Sequence, residues 1–192
     1  MKNLITKTTE LGRYIISSYI SPGDIAVDAT CGNGKDTLYL CQLVGSQGKV
    51  YAFDIQEEAL NNTRQLLTEA GLMDNCHYIQ DSHHFMDRHI EDRDKGKISA
   101  ILFNLGYLPK GNKEVTTKSD TTLVAIEKSL ALIRPNGIIA IVAYSGHKEG
   151  SEEKQAILEM AQGLCKKQYH AAYINLLNQP ENPPELILIT KK

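Results

Sequence analysis

Apolar residues recur along this chain with two alternating periods. Over residues 9–19 they fall at Leu11, Tyr14, Ile15, Ile16 and Tyr19, a spacing that predicts a helix. Ser21-Pro22-Gly23-Asp24 stops it, and Ile25-Ala26-Val27-Asp28 reads as a short buried strand. The alternation repeats with a helix over 34–44, a strand over 49–53 and a helix over 56–70 that Gly71 terminates. Strands follow over 76–79 and 98–103. Ser119-Asp120 predicts the cap of a helix running to Ile133, and Pro135-Asn136-Gly137 turns it into a strand over 138–143. A helix over 152–165 precedes two last strands, 169–176 and 185–190, joined by the Pro-containing turn 178–184. Polar residues 110–120 read as a long mobile loop.

Strands that alternate with helices imply βαβ units and a doubly wound, mostly parallel α/β sheet. The connection between the last two strands is too short for a crossover helix, so they pair antiparallel. Seven strands with an antiparallel C-terminal strand is the expected architecture, formed as one domain over 1–192. The 192 residues suit one domain, and no stretch divides them into two core-forming halves. No apolar run approaches the ~20 residues that span a bilayer. The first ten residues lack the apolar segment of a secretory signal. Cys31, Cys41, Cys76 and Cys165 are scattered, without zinc-ligand spacing; all but Cys31, which sits in a motif described below, read as reduced thiols of a cytoplasmic protein. With 21 basic and 23 acidic residues, any contact with nucleic acid must come from a local patch.

Candidate chemistry concentrates where strands end. Asp28-Ala29-Thr30-Cys31-Gly32-Asn33-Gly34-Lys35-Asp36-Thr37 follows the first strand and opens a helix. Glycines there let the backbone approach a ligand. A dinucleotide fingerprint would want a small residue where Thr37 stands. The carboxylate of Asp28 would repel a pyrophosphate but suits an ammonium group, such as that of S-adenosylmethionine. Asp54 ends the second strand, the place of a ribose-hydroxyl acceptor, with Ile55 and Gln56 after it. Asp81-Ser82-His83 follows the third strand, where Asp81 can accept from an adenine amino group. His77, His83, His84 and His89 lack metal-ligand geometry and read as a solvated cluster, so no metal is expected. The fourth strand ends in Asn104-Leu105-Gly106-Tyr107-Leu108-Pro109. Its Asn104 side chain and Leu105 carbonyl can accept hydrogen bonds from an amine, and Tyr107 can stack on a base.

On these residues, with Leu132-Ile133-Arg134-Pro135-Asn136-Gly137 before the fifth strand, the chain resembles the class I, Rossmann-like, S-adenosylmethionine-dependent methyltransferases. Thr30 stands where many members have the first glycine. Asp28-Ala29-Thr30, Gly32-Asn33-Gly34, Asn104 to Pro109, Tyr144-Ser145-Gly146-His147 and Asn182-Pro183-Pro184 resemble more narrowly the small Gram-positive family labelled putative rRNA methylases. That resemblance implies methylation of the amino group of 5-aminomethyl-2-thiouridine at the tRNA wobble position, with the anticodon stem-loop as partner. It implies cofactor contacts from Asp28, Thr30, Gly32, Asn33, Gly34, Asp36, Thr37, Asp54, Ile55, Gln56, Asp81, Ser82, His83 and Asn104. The candidate catalytic residues are Asn104, Tyr107 and His147. Lys110, Lys113, Lys118 and Lys148 are candidate RNA contacts, with Tyr107 and Tyr144 for stacking. Lys166-Lys167 and Lys191-Lys192 are assigned to solvated surface. A homodimer would widen the binding face of so small an enzyme. The alternatives are an rRNA, DNA or small-molecule amine methyltransferase, a nicotinamide oxidoreductase and a non-catalytic adenosine-binding module.

Overall fold

A computed structural model describes residues 7–106, 117–146, 148–179 and 183–192. The elements run α1 (Thr8–Ser17), β1 (Ile25–Asp28), α2 (Lys35–Val44), β2 (Lys49–Asp54), α3 (Glu57–Glu69), β3 (Cys76–Gln80), the one-turn α4 (Met86–His89) and β4 (Ile98–Asn104). Then come α5 (Ser119–Leu132), β5 (Ile133–Ala143), α6 (Lys148–Gly163), β6 (Tyr169–Ile174) and β7 (Glu185–Lys191). All seven strands join one sheet in the order β3-β2-β1-β4-β5-β7-β6. The pairs β1–β2, β1–β4, β2–β3 and β4–β5 are parallel. Strand β7 is antiparallel to both β5 and β6, as the short final connection requires. The strand order reverses between β1 and β4, and a doubly wound sheet opens a crevice at the carboxyl ends of such a pair.

The central strands carry apolar residues on both faces because helices cover both, whereas the edge strand β6 is mostly exposed. One face buries Val27, Phe53, Ile101, Phe103, Ile139 and Ile187 against Ile126, Leu130 and Ile157 of α5 and α6. The other presents Ala26, Ala52, Ala100 and Ala140 to Ile16, Leu40, Val44 and Leu60 of α1, α2 and α3. Small residues on that second face let three helices approach the strands closely. Among the described residues no helix is long and apolar enough to cross a membrane.

Three expectations change. Pro135-Asn136-Gly137 does not separate α5 from a later strand, because β5 begins at Ile133, which pairs with Ile98 before the register shifts. The turn is absorbed as a bulge in which Asn136 takes φ +59° and a side chain at Gly137 would meet the Arg134 carbonyl at 2.9 Å. Arg134 anchors the bulge through paired hydrogen bonds of 2.8 and 2.9 Å to Asp24. Ser119-Asp120 lies inside the first turn of α5, and Lys118 is its N-cap without a side-chain bond. Lys191 is not a free surface charge, since its Nζ donates to the carbonyls of Leu130 and Ile133, each at 3.0 Å, at the C-terminal end of α5. Lys166 and Lys167 are exposed as expected.

Candidate active site

The crevice at the reversal point holds a cavity of about 670 Å³. Its wall comes from the turn after β1, the first residues of α2, the ends of β2, β3, β4 and β5, and Thr9 and Arg13 of α1. That volume lies in the range of small-molecule sites, ~300–1,000 Å³.

The glycine turn is built from two left-handed positions, Gly32 at φ +50° and Gly34 at φ +77°. They have different tasks. The N–H of Gly32 donates to Asp54 Oδ2 at 3.0 Å, and the N–H of Gln56 donates to Oδ1 of the same carboxylate at 3.0 Å. Asp54 therefore ties the β1 turn to the end of β2 while facing the cavity, and burial pushes its carboxyl above the usual range. Gly34 is off the wall. A Cβ there would sit 2.8 Å from Thr63 Cα, so this glycine allows α2 to press against α3.

Asp28 is not on the cavity wall either. It is 0% exposed, and its oxygens accept from the Thr30 N–H at 3.2 Å and the Thr37 hydroxyl at 2.7 Å. Burial, and next the charge of Asp36, push its carboxyl up to about 7. Asp28 and Thr37 thus support the turn from beneath. The acidic side chain on the wall at this end is Asp36, whose Oδ1 accepts from Arg13 Nε at 2.6 Å and whose Oδ2 accepts from Asn104 Nδ2 at 3.1 Å. Thr30, in the place of a first glycine, uses its side chain: the Asn104 N–H donates to its hydroxyl at 2.7 Å, joining the turn to β4.

Asp81 and Ser82 line the cavity beside Ile55 and Gln56. The ring of His89 pairs with Asp81 Oδ2 at 2.7 Å and holds the carboxyl below its usual range. The histidines are not one solvated cluster. His83 is 7% exposed, packs edge-on against Phe103 with centroids 5.7 Å apart, and is held neutral by burial, which lowers it to about 4. Its Nε2 is buried and has no partner among the described residues. His84 instead bonds Ser82 Oγ at 2.7 Å, and His77 lies against Tyr51. An orphaned ring nitrogen, a carboxylate at the ribose-acceptor place and a second acid after β3 fit an adenosine-bearing ligand.

Beyond Asn104, Gly106 and Thr117 pair twice: the Thr117 N–H donates to the Gly106 carbonyl at 3.1 Å, and the Gly106 N–H donates to Thr117 Oγ1 at 3.0 Å. The Thr117 hydroxyl in turn donates to buried Glu153 of α6 at 2.9 Å. Tyr144 closes the far side, its phenol pushed up by burial and by the charge of Asp36. Tyr107, Lys110, Lys113, His147 and Asn182 lie outside the described residues. Lys148 is exposed and within 3.7 Å of Glu152. Arg13, Thr117 and Glu153 escaped the sequence reading. Arg13 and Glu153 sit in otherwise ordinary helices and Thr117 just before one, and a polar residue there carries no signal of the partner it meets across the fold.

Asp28 and His83 have opposite pH linkage. Between about 4 and 7 the folded chain keeps the Asp28 proton that an unfolded carboxyl has lost, so this group favours folding at the acid end and loses that contribution as pH rises. His83 resists protonation in the fold and costs stability as pH falls from 6.5 towards 4. The melting temperature of the parent minus that of Asp28→Asn isolates the first effect. It is expected to increase as pH falls from about 7 to 4. A difference flat across that window would show that Asp28 is ionised in the fold.

The family model described as putative rRNA methylase matches residues 50–190. The chloroplastic tRNA (mnm(5)s(2)U34)-methyltransferase of Arabidopsis thaliana is 36% identical over 184 residues, 92% of this chain and 67% of that protein. A crystal structure of a putative rRNA-methylase from Clostridium thermocellum superposes with TM-score 0.93 at 39% identity, covering 98% of this chain and 99% of that one. SMU.1697c, a putative methyltransferase from Streptococcus mutans solved in complex with SAH, superposes with TM-score 0.86 at 37% identity, over 100% of this chain and 99% of that one. A match over most of the length, the reversed sheet with its antiparallel β7, and a cavity built on the glycine turn and Asp54 agree: the chain belongs to the putative rRNA methylase family of class I S-adenosylmethionine-dependent methyltransferases.

Proposed function

We propose that this protein transfers a methyl group from S-adenosylmethionine to the aminomethyl nitrogen of 5-aminomethyl-2-thiouridine at the wobble position of tRNA. One observation carries the reading: an amine-acceptor set, Asn104 and Leu105 at the end of β4, opens on the same cavity as the ribose-acceptor Asp54. The name of the Arabidopsis relative supports wobble uridine in tRNA as the substrate.

S-adenosylmethionine, when bound, supplies an electrophilic methyl group on a sulfonium. The residues of this chain would hold it through Asp54 at the ribose and through Asp81 with Ser82 at the adenine. An alkyl amine resembles a lysine side chain, with a pKa near ~10, and is mostly protonated in water. Desolvation inside the cavity that Tyr144 helps to line favours its neutral form. The Asn104 Oδ1 and the Leu105 carbonyl then accept the amine hydrogens and aim the lone pair, with Tyr107 as the proposed stacking partner of the base. Holding the nitrogen roughly 3–3.5 Å from the methyl carbon is itself a large part of the acceleration.

The test is labelled S-adenosylmethionine with tRNA from a strain lacking this gene, followed by nucleoside analysis. Label in the methylaminomethyl wobble uridine is expected. The family description favours one second reading, ribosomal RNA, and label there but not in tRNA would move the substrate while keeping the chemistry.

A further inference from the structure

We infer that Asp36, clamped by Arg13, is a positioning residue that fixes the amide of Asn104 with its carbonyl oxygen free for the substrate amine. The inference rests on the reading of Asn104 as the amine acceptor and adds the device that orients it.

An asparagine amide carries donors on one atom and acceptor lone pairs on the other, and it is useful to an amine only in one of its two orientations. An ionised carboxylate has no proton to donate. The Asn104 atom 3.1 Å from Asp36 Oδ2 must therefore be the NH₂ nitrogen, and the carbonyl oxygen diverges from it. No described residue donates to that oxygen, so its lone pairs are available in the cavity wall. The backbone of Asn104 is fixed separately, by its N–H to Thr30 Oγ1 at 2.7 Å. Only the side-chain torsions remain to be set, and Asp36 sets them.

Asp36 is held in turn. Its other oxygen accepts from Arg13 Nε at 2.6 Å, and the two side chains are 12% and 29% exposed. Arg13 is braced by the hydroxyl of Tyr39, which donates to the Arg13 carbonyl, and by that ring, 5.8 Å from the guanidinium carbon. Elements α1, α2 and β4 thus meet in a chain Arg13–Asp36–Asn104 with one acceptor oxygen left over at its end. Without the carboxylate the amide can turn over and present NH₂ to an amine that needs an acceptor.

The experiment compares Asp36→Ala, Asp36→Asn, Arg13→Gln and Arg13→Lys for kcat, for KM of the acceptor tRNA and for S-adenosylhomocysteine affinity. Asp36→Ala and Asp36→Asn are expected to lower kcat roughly tenfold or more, against about 100-fold for an ångström of misplacement. Affinity for S-adenosylhomocysteine and KM for tRNA should stay within about threefold, the signature of an interaction used only in the transition state. Arg13→Gln should follow at smaller amplitude, and Arg13→Lys should restore most of the rate. An unchanged kcat in Asp36→Ala overturns the inference. So does a loss that tracks S-adenosylhomocysteine affinity, which would make Asp36 a cofactor ligand. A second readout needs no acceptor. In the ¹H–¹⁵N spectrum, the Asn104 side-chain NH₂ pair, assigned by its disappearance in Asn104→Asp, should be shifted by its carboxylate partner. In Asp36→Ala it should move to free-amide positions. An identical pair in both proteins overturns the relay. If the parent leaves the wobble uridine unmethylated, the substrate reading fails while this spectrum still decides the relay.

Discussion

Replacing Asp54 by alanine is expected to weaken S-adenosylhomocysteine binding by at least about 100-fold, measured by calorimetry. The carboxylate accepts from the Gly32 and Gln56 N–H groups, each at 3.0 Å, and holds the β1 turn against the end of β2. Its position on the wall leaves each oxygen a further lone pair for a ribose hydroxyl. Hydrogen bonds to a charged group contribute about 1.5–3 kcal/mol each. Losing two from the ribose therefore costs about 3–6 kcal/mol, which at 1.4 kcal/mol per tenfold is at least two powers of ten. The alanine also leaves two backbone donors unpaired, so the turn that shapes the site loosens as well. Asp54→Asn separates the two losses, because an amide keeps one acceptor oxygen but turns donors towards the other N–H. It should fall between parent and alanine. Retention of parent-like affinity in Asp54→Ala would remove Asp54 from the ligand and leave it as a brace for the turn.

The course of the chain was legible because its periodicities are long and clean. The strand ends also announced themselves: Asp54, Asp81 and Asn104 all reach the cavity. What the pattern could not show is which way a side chain points at the junction of two elements. Asp28 and Asp36 flank one turn and look equivalent in sequence. The last residue of β1 is still inside the sheet and sinks beneath the turn, whereas the second residue of α2 emerges beside Arg13. His83 departs from the solvated reading for a similar reason, since polar neighbours in sequence do not show that the 3-10 turn His83–Phe85 before α4 folds one ring against Phe103. The β5 bulge is a register property of two strands 35 residues apart, Ile98 against Ile133, and no local signal encodes it.

Gly34 shows the same limit from the opposite side, and its replacement by alanine is expected to cost about 3 kcal/mol of stability. Two effects add. At φ +77° any Cβ meets the strain of the left-handed region, about 1–2 kcal/mol. The new carbon would also sit 2.8 Å from Thr63 Cα, a main-chain contact that no side-chain rotation relieves, and 2.9 Å from Thr63 Oγ1, and such overpacking costs about 1–3 kcal/mol. For a chain of this size the melting temperature should fall roughly 6–12 °C. Gly71→Ala is the matched control, with φ +69° and nothing within 4 Å of its Cβ, so it carries the strain without the clash. A melting temperature for Gly34→Ala close to that of Gly71→Ala would show that α2 and α3 separate freely and that their contact does not hold the turn. If the contact is as tight as the geometry requires, relief comes only by shifting the start of α2. That shift carries Asp36 away from Arg13 and Asn104, so the folded fraction of Gly34→Ala should lose methyl transfer beyond its loss of stability.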